Sequence, residues 1–196
     1  MRLEAVLGVV MLGLLAWAGP WAKKGAPEAG PGEDLREGVA APDFEAPSSD
    51  GGTVRLSALR GKIVVLYFYP KDETPGCTKE ACSFRDSFGE MKNLGAVVLG
   101  VSKDDLKSHD KFKKKYNLPF PLLSDPDGKI LTAYGCWKKG SVFGRTALGV
   151  NRSTFLIGPD GIIRKIWRDV SVNGHDQAVL AAVKALASEK PPATSP

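Results

Sequence analysis

The 196-residue chain holds three cysteines, Cys77, Cys82 and Cys136, and the first two lie five positions apart. Three thiols are too few for a disulfide-stapled secreted scaffold. Two close thiols in a chain with its own core point to redox chemistry or metal binding. The segment that carries them reads Tyr69-Pro-Lys-Asp-Glu-Thr-Pro-Gly-Cys-Thr-Lys-Glu-Ala-Cys82. Thr74 before Pro75 reads as a helix N-cap with proline at the first helical position. Cys77 then falls in the first turn, where unpaired backbone N–H groups and the positive end of the helix dipole favour a nucleophilic thiolate. Gly76 lets the backbone approach a small substrate closely. The bland alternative for Cys77 is a buried structural cysteine, which the Thr-Pro-Gly helix start disfavours. In an intact helix, Cys82 has its Cα roughly 8–9 Å from that of Cys77. A disulfide needs about 7 Å or less. Bridging therefore requires the first turns to unwind. The chemistry expected is oxidation of Cys77 by peroxide to a sulfenic acid, local melting, and condensation with Cys82. Otherwise Cys82 is a small helix residue with no redox role.

The elements around this segment follow from hydrophobic pattern. Ile63 to Tyr69 is a continuous β-branched and aromatic run, the mark of a strand buried on both faces. Ala81, Phe84, Phe88, Met91 and Leu94 recur every three or four positions and predict an amphipathic helix. Ala96 to Val101 predicts a second buried strand. Asp104 to Tyr116 predicts a polar helix capped by Ser102 or Asp104. A short strand (Phe120 to Leu123) and a short helix (Lys129 to Tyr134) follow. Ser153 to Ile157 and Ile162 to Arg168 flank Gly158-Pro159-Asp160-Gly161 and predict a hairpin. Asp176 to Ala187 predicts a closing helix with Val179, Leu180, Val183 and Leu186 inward. The order implies an α/β class with a central mixed β-sheet flanked by helices. Such sheets carry their sites at the carboxyl ends of strands, here the loop after Tyr69.

Charge and composition exclude other classes. Lys and Arg number 27 against 22 Asp and Glu, a net charge of +5, and 43% of residues are apolar. That is an ordinary globular balance. The basic cluster Lys111, Lys113, Lys114 and Lys115 reads as a solvated helix face, so no nucleic-acid partner is expected. Residues 1–18 read as a secretory signal peptide, with a charge-free run from Ala5 and Ala16-Trp17-Ala18 as a small-x-small cleavage site. They read alternatively as an uncleaved anchor, since the charge-free run extends to Ala22, and Lys23-Lys24 after it favour keeping that flank in the cytoplasm. An exported, periplasmic or extracytoplasmic location is expected, with membrane-anchored or cytoplasmic forms as alternatives. Residues 19–37 read as a flexible linker, 38–189 as the domain and 190–196 as a frayed tail. His109 and His175 read as solvent-facing or capping. Trp137 and Trp167 read as core or rim aromatics, with Trp137 a possible pocket wall.

Pro70-x-x-x-Thr74-x-x-Cys77 resembles the active-site pattern of the peroxiredoxins. The following Thr-Lys-Glu-Ala-Cys82 and the run Gly149-Val-Asn-Arg152-Ser-Thr-Phe-Leu-Ile-Gly-Pro-Asp-Gly161 resemble its Q-type (bacterioferritin comigratory protein) subfamily. The similarity spans about Gly38 to Leu186. It implies a thioredoxin-like fold, Cys77 as peroxidatic cysteine, Thr74 orienting it, Arg152 holding thiolate and peroxide, and Pro70 shielding the pocket. It also implies hydrogen peroxide and organic hydroperoxides as substrates and thioredoxin or a similar dithiol as reductant. No cofactor or metal is needed, because a thiolate with oriented donors suffices. A monomer or weak dimer is expected. The residues agree that Arg152 opens a strand after a Gly-rich loop, from which a guanidinium reaches the pocket; its bland alternative is a surface ion pair. Cys136 is outside the motif and reads as a packing residue or an alternative resolving thiol. Two rivals remain. One is a thiol–disulfide oxidoreductase on the same fold, which the spacing disfavours. The other is a non-enzymatic copper-binding module built from Cys77, Cys82 and a histidine.

Overall fold

The computed structural model describes Gly32, residues 35–142 and residues 145–189. The expected leader (1–18), most of the linker (19–37) and the tail (190–196) lie outside the described residues. The elements run β1 (Glu45–Pro47), β2 (Thr53–Arg55), a 3-10 turn (Leu56–Leu59), β3 (Ile63–Phe68), α1 (Pro75–Asn93), β4 (Ala96–Ser102), α2 (Leu106–Tyr116), β5 (Leu122–Ser124), α3 (Lys129–Ala133), β6 (Trp137–Val142), β7 (Arg145–Val150), β8 (Ser153–Ile157), β9 (Ile163–Trp167) and α4 (His175–Ser188). Among the described residues no helix is long and apolar enough to cross a membrane.

The unbroken apolar run of β3 is buried at all six positions. It sits at the centre of a five-stranded sheet of order β5-β4-β3-β8-β9. Its pairing is parallel to β4 and antiparallel to β8. Alternate side chains feed two cores, because successive residues of a strand point to opposite faces. Val65 and Tyr67 pack with Ala81, Phe84 and Met91 of α1 and with Val179, Leu180 and Val183 of α4. Val64, Leu66 and Phe68 pack with Leu56, Phe155 and the α3 residues Ile130 and Leu131. Truncating a side chain as enclosed as Phe84 costs about 3–5 kcal/mol. The middle of α1 is therefore firmly held. Gly100 of β4 is required by close approach: a Cβ there would lie 2.6 Å from the Tyr67 hydroxyl oxygen.

The mixed sheet flanked by helices is as expected, but three details differ. The hairpins β1–β2 and β6–β7 were not expected, and the Gly-rich stretch before Arg152 is strand β7, paired from Trp137↔Val150 to Val142↔Arg145. Backbone pairing sustains it where hydrophobic alternation is weak. Secondly, α2 begins at Leu106 and its cap is Asp105, whose carboxylate accepts the Ser108 N–H at 2.8 Å. Asp104 is drawn off by the loop before α1, accepting the Asp72 N–H at 2.9 Å. Thirdly, Gly38 to Ala41 lie along the edge strand: the Gly38 N–H meets the Ile163 carbonyl at 2.8 Å and the Ile163 N–H meets the Val39 carbonyl at 2.9 Å. This strap covers an edge that would otherwise pair with another chain.

Candidate active site

The register Phe68↔Ser153 between β3 and β8 brings the start of one strand beside the end of the other. Arg152, immediately before β8, thus meets the loop that leaves β3 and enters α1. Pro70 and Gly76 are exposed along this loop and Thr74 is half-buried. Thr74 occupies the N-cap with Pro75 beside it, but its side chain makes no cap hydrogen bond. Its hydroxyl donates instead to the Lys71 carbonyl at 3.0 Å. The capping role expected of the Thr74 side chain is corrected accordingly: the threonine braces the turn and leaves the first-turn amides of α1 without a capping side chain. Cys77 lies in that first turn, and a helix N-terminus favours an anion.

One guanidinium links a sulfur and a carboxylate. Arg152 Nη2 donates to Cys77 Sγ at 3.3 Å, and Arg152 Nη1 is ion-paired with Glu80 Oε2. Glu80 lies one turn after Cys77 and is 1% exposed. Burial pushes its carboxyl up to about 7 against the opposing pull of Arg152. Burial disfavours the charge on Arg152, yet Glu80 and Cys77 more than offset this and raise its basicity. A Cβ on Gly76 would stand 3.4 Å from Arg152 Nη2, so this glycine is a wall of the same site. Cys82 is half-buried on the continuous helix α1, and all three cysteines are free. The arrangement can hold a thiolate, present donors to a peroxide oxygen beside it, and keep a second thiol one unwinding step away.

Residues 38–166 match the AhpC/TSA family model. The chain belongs to this family. Peroxiredoxin Bcp of Bacillus subtilis is 50% identical over 153 residues, which is 78% of this chain and 97% of that protein. The putative peroxiredoxin bcp of Coxiella burnetii is 51% identical over 141 residues, 72% of this chain and 93% of its own length. A solved structure of Xanthomonas campestris bacterioferritin comigratory protein superposes with a TM-score of 0.71 at 44% identity, covering 74% of this chain and 92% of that one. The chain is thus a peroxiredoxin of the Bcp or Q type, with the α/β thioredoxin-like fold, and a thiol peroxidase.

Sequence reading of this peroxiredoxin missed Glu80. The signal was present: a glutamate three residues after Cys77, on the helix face that carries Ala81 and Phe84 inward. Both histidines are corrected. His109 has no exposed surface and His175 is 6% exposed. His109 and Phe112 face inward together from a helix whose other residues are mostly charged, so a two-residue stripe escaped notice. His175 Nε2 lies 2.8 Å from the Thr154 hydroxyl, and burial lowers its pKa to about 4. Trp137 carries Lys103 over its ring at 4.4 Å. Trp167 lines a groove of about 470 Å³ with Val170 and His175, and Cys77 is not among the residues of that groove. Cys136 is buried in the core on the face of the sheet opposite Cys77.

Proposed function

We propose that this peroxidase reduces hydrogen peroxide and alkyl hydroperoxides through Cys77 and resolves the product with Cys82. The Cys77 thiolate attacks the terminal peroxide oxygen. The S–O bond forms as the O–O bond breaks, and the departing hydroxide or alkoxide takes a proton to leave as water or alcohol. Arg152 donates to the sulfur in the ground state and to the oxygens as charge moves onto them. The first turns of α1 then open, Cys82 attacks the sulfenic sulfur, and water is released as the disulfide forms. A dithiol of the thioredoxin kind returns two electrons by thiol–disulfide exchange. The observation that carries this reading is the Arg152 guanidinium 3.3 Å from a sulfur set in the first turn of α1. The relative from Xanthomonas campestris, for which alkyl peroxide reduction activity is described, supports the substrate class.

The test is peroxide consumption with a dithiol reductant, followed by mass spectrometry after one equivalent of peroxide. Cys77→Ser is expected to lower the rate by about 10³-fold or more, and the wild-type chain to gain one Cys77–Cys82 crosslink. Full activity in Cys77→Ser, or a crosslink through Cys136, overturns the assignment. The copper-binding rival needs a third ligand, and among the described residues no group of three or more His, Cys, Asp or Glu side chains could hold an ion. An exported form, matured by removal of residues 1–18, belongs to the same proposal and is read from the mass of the mature N-terminus.

A further inference from the structure

Asp72 lies two residues before Thr74, is 5% exposed, and takes polar partners both from its own loop and from α2. Its Oδ1 accepts the Tyr69 hydroxyl at 2.8 Å. Its Oδ2 accepts the Ser108 hydroxyl at 2.8 Å and lies 2.9 Å from His109 Nδ1. The other ring nitrogen of His109 lies 3.2 Å from the Leu123 carbonyl oxygen. The loop between β3 and α1 is therefore tied to the first turns of α2 and to β5 by a buried polar network. Such networks rigidify when every member is satisfied. The next residue, Glu73, has φ of 58°, a left-handed conformation that a non-glycine residue holds only where its surroundings impose it. Lys115 Nζ, 2.9 Å from Glu73 Oε2, holds it from outside.

On the other side of the cysteines, Phe84 is fully buried against Tyr67. Between these two fixed points run exposed Pro75 and Gly76, Cys77, and half-buried Cys82. We propose that Asp72 and His109 are positioning residues: they fix the near end of the segment that unwinds, hold Cys77 against Arg152 while it is helical, and set how readily it opens. This rests on the Cys77–Cys82 reading above. A segment with one end released gains conformations on opening. Loosening the network therefore misaligns Cys77 for its first oxidation and favours the open state in which Cys82 closes. A second peroxide competes with that closure, transferring an oxygen to the sulfenic sulfur to give a sulfinic acid and one water. The partition between sulfinic acid and disulfide reports the anchor directly.

The experiment uses the full reduced chain and hydrogen peroxide. It reads the first-turnover rate of Cys77 oxidation and, by mass spectrometry over graded peroxide, the sulfinic-to-disulfide ratio. Asp72→Asn is expected to slow the first oxidation about tenfold and to lower the sulfinic share. Ser108→Ala, which removes one donor and no core volume, is expected to move both in the same direction by about threefold. Tyr134→Phe removes a hydroxyl that donates to the Pro42 carbonyl at 2.8 Å in the opposite core, and is expected to leave the ratio unchanged despite lost stability. If Asp72→Asn does not fold, Ser108→Ala decides. A wild-type ratio in the variant that folds overturns the proposal, as does a raised sulfinic share. Failure of the underlying reading shows separately, as a wild-type chain that forms no Cys77–Cys82 crosslink.

Discussion

Two cysteine–arginine pairs sit on opposite faces of one sheet. Arg152 Nη2 stands 3.3 Å from Cys77 Sγ, and Arg168 Nη1 stands 3.6 Å from Cys136 Sγ. The residues are 1% and 0% exposed, so neither distance nor surface area separates them. What differs is how each guanidinium is already engaged. Arg168 Nη1 donates to the Tyr134 carbonyl at 2.8 Å and to the Gly135 carbonyl at 3.2 Å. Its cation also lies over the Phe155 ring, 4.9 Å from the centroid. Burial pushes the Cys136 thiol up to about 11, and the Ser153 hydroxyl and Arg168 oppose this only in part. Arg152 spends one nitrogen on a carboxylate and turns the other to sulfur, beside the first turn of a helix. A nearby cation is thus common to both sulfurs and does not by itself distinguish them. What sets Cys77 apart is its place in the first turn of α1, next to exposed Pro75 and Gly76. Cys136 serves the first pair structurally: its carbonyl accepts the Asn151 N–H at 2.7 Å, and so holds the chain that presents Arg152.

The largest expected effect breaks the comparison at the arginines. Arg152→Met should lower the second-order rate with peroxide by about 10²–10³-fold, the usual loss when a donor to developing charge is removed. Arg168→Met should leave that rate within about twofold and lower the thermal midpoint instead, since three buried acceptors lose their donor. Stopped-flow oxidation and thermal melts on both variants check this. Equal rate losses in the two would mean that the pairs differ less than their surroundings suggest.

Much of this contrast was legible in sequence. Thr74-Pro75-Gly76 marks a helix start by backbone chemistry alone, and the run from Ile63 declares a central strand, so the position of Cys77 at a strand's carboxyl end follows. The hairpin around Gly158 to Gly161 follows likewise. Glu80 and His109 did not follow, because a charged residue facing inward contradicts the pattern and is fixed only by a partner distant in the chain. Cys136 and Arg168 carry no motif, and their meeting depends on the sheet register. The strand pair β6–β7 lies in a Gly-rich stretch with no strong alternation, where tertiary pairing overrides weak local preference.

A smaller effect sharpens the difference between a carboxylate partner and carbonyl partners. The folded Glu80 carboxyl keeps its proton up to about 7, against a reference value of 4.5. Its contribution is fully favourable below about 4.5 and is lost as pH rises through about 7. Relative to Glu80→Gln, the wild-type chain should therefore lose on the order of 2–3 kcal/mol across that interval. His175 acts in the opposite sense, its stability present above 6.5 and lost as pH falls toward about 4. It is common to both chains and cancels in the difference. Thermal melts from pH 4 to pH 8 read it, and a difference that stays constant would sink the assignment.

The smallest effect concerns access. Both sulfurs are enclosed, but Cys77 lies in the first turn of α1 next in sequence to exposed Pro75 and Gly76, whereas Cys136 lies among Tyr134, Phe155 and Leu131 in the far core. Opening the first needs only the first turns of α1. Opening the second needs the core itself, whose free energy approaches that of global unfolding. Iodoacetamide should therefore modify Cys77 in the native chain and reach Cys136 only in denaturant. Cys136→Ala should cost about 1 kcal/mol through lost packing and change peroxide turnover by less than about twofold. Native labelling of Cys136 at the rate of Cys77 would place the two thiols in one class and remove the distinction drawn between their arginines.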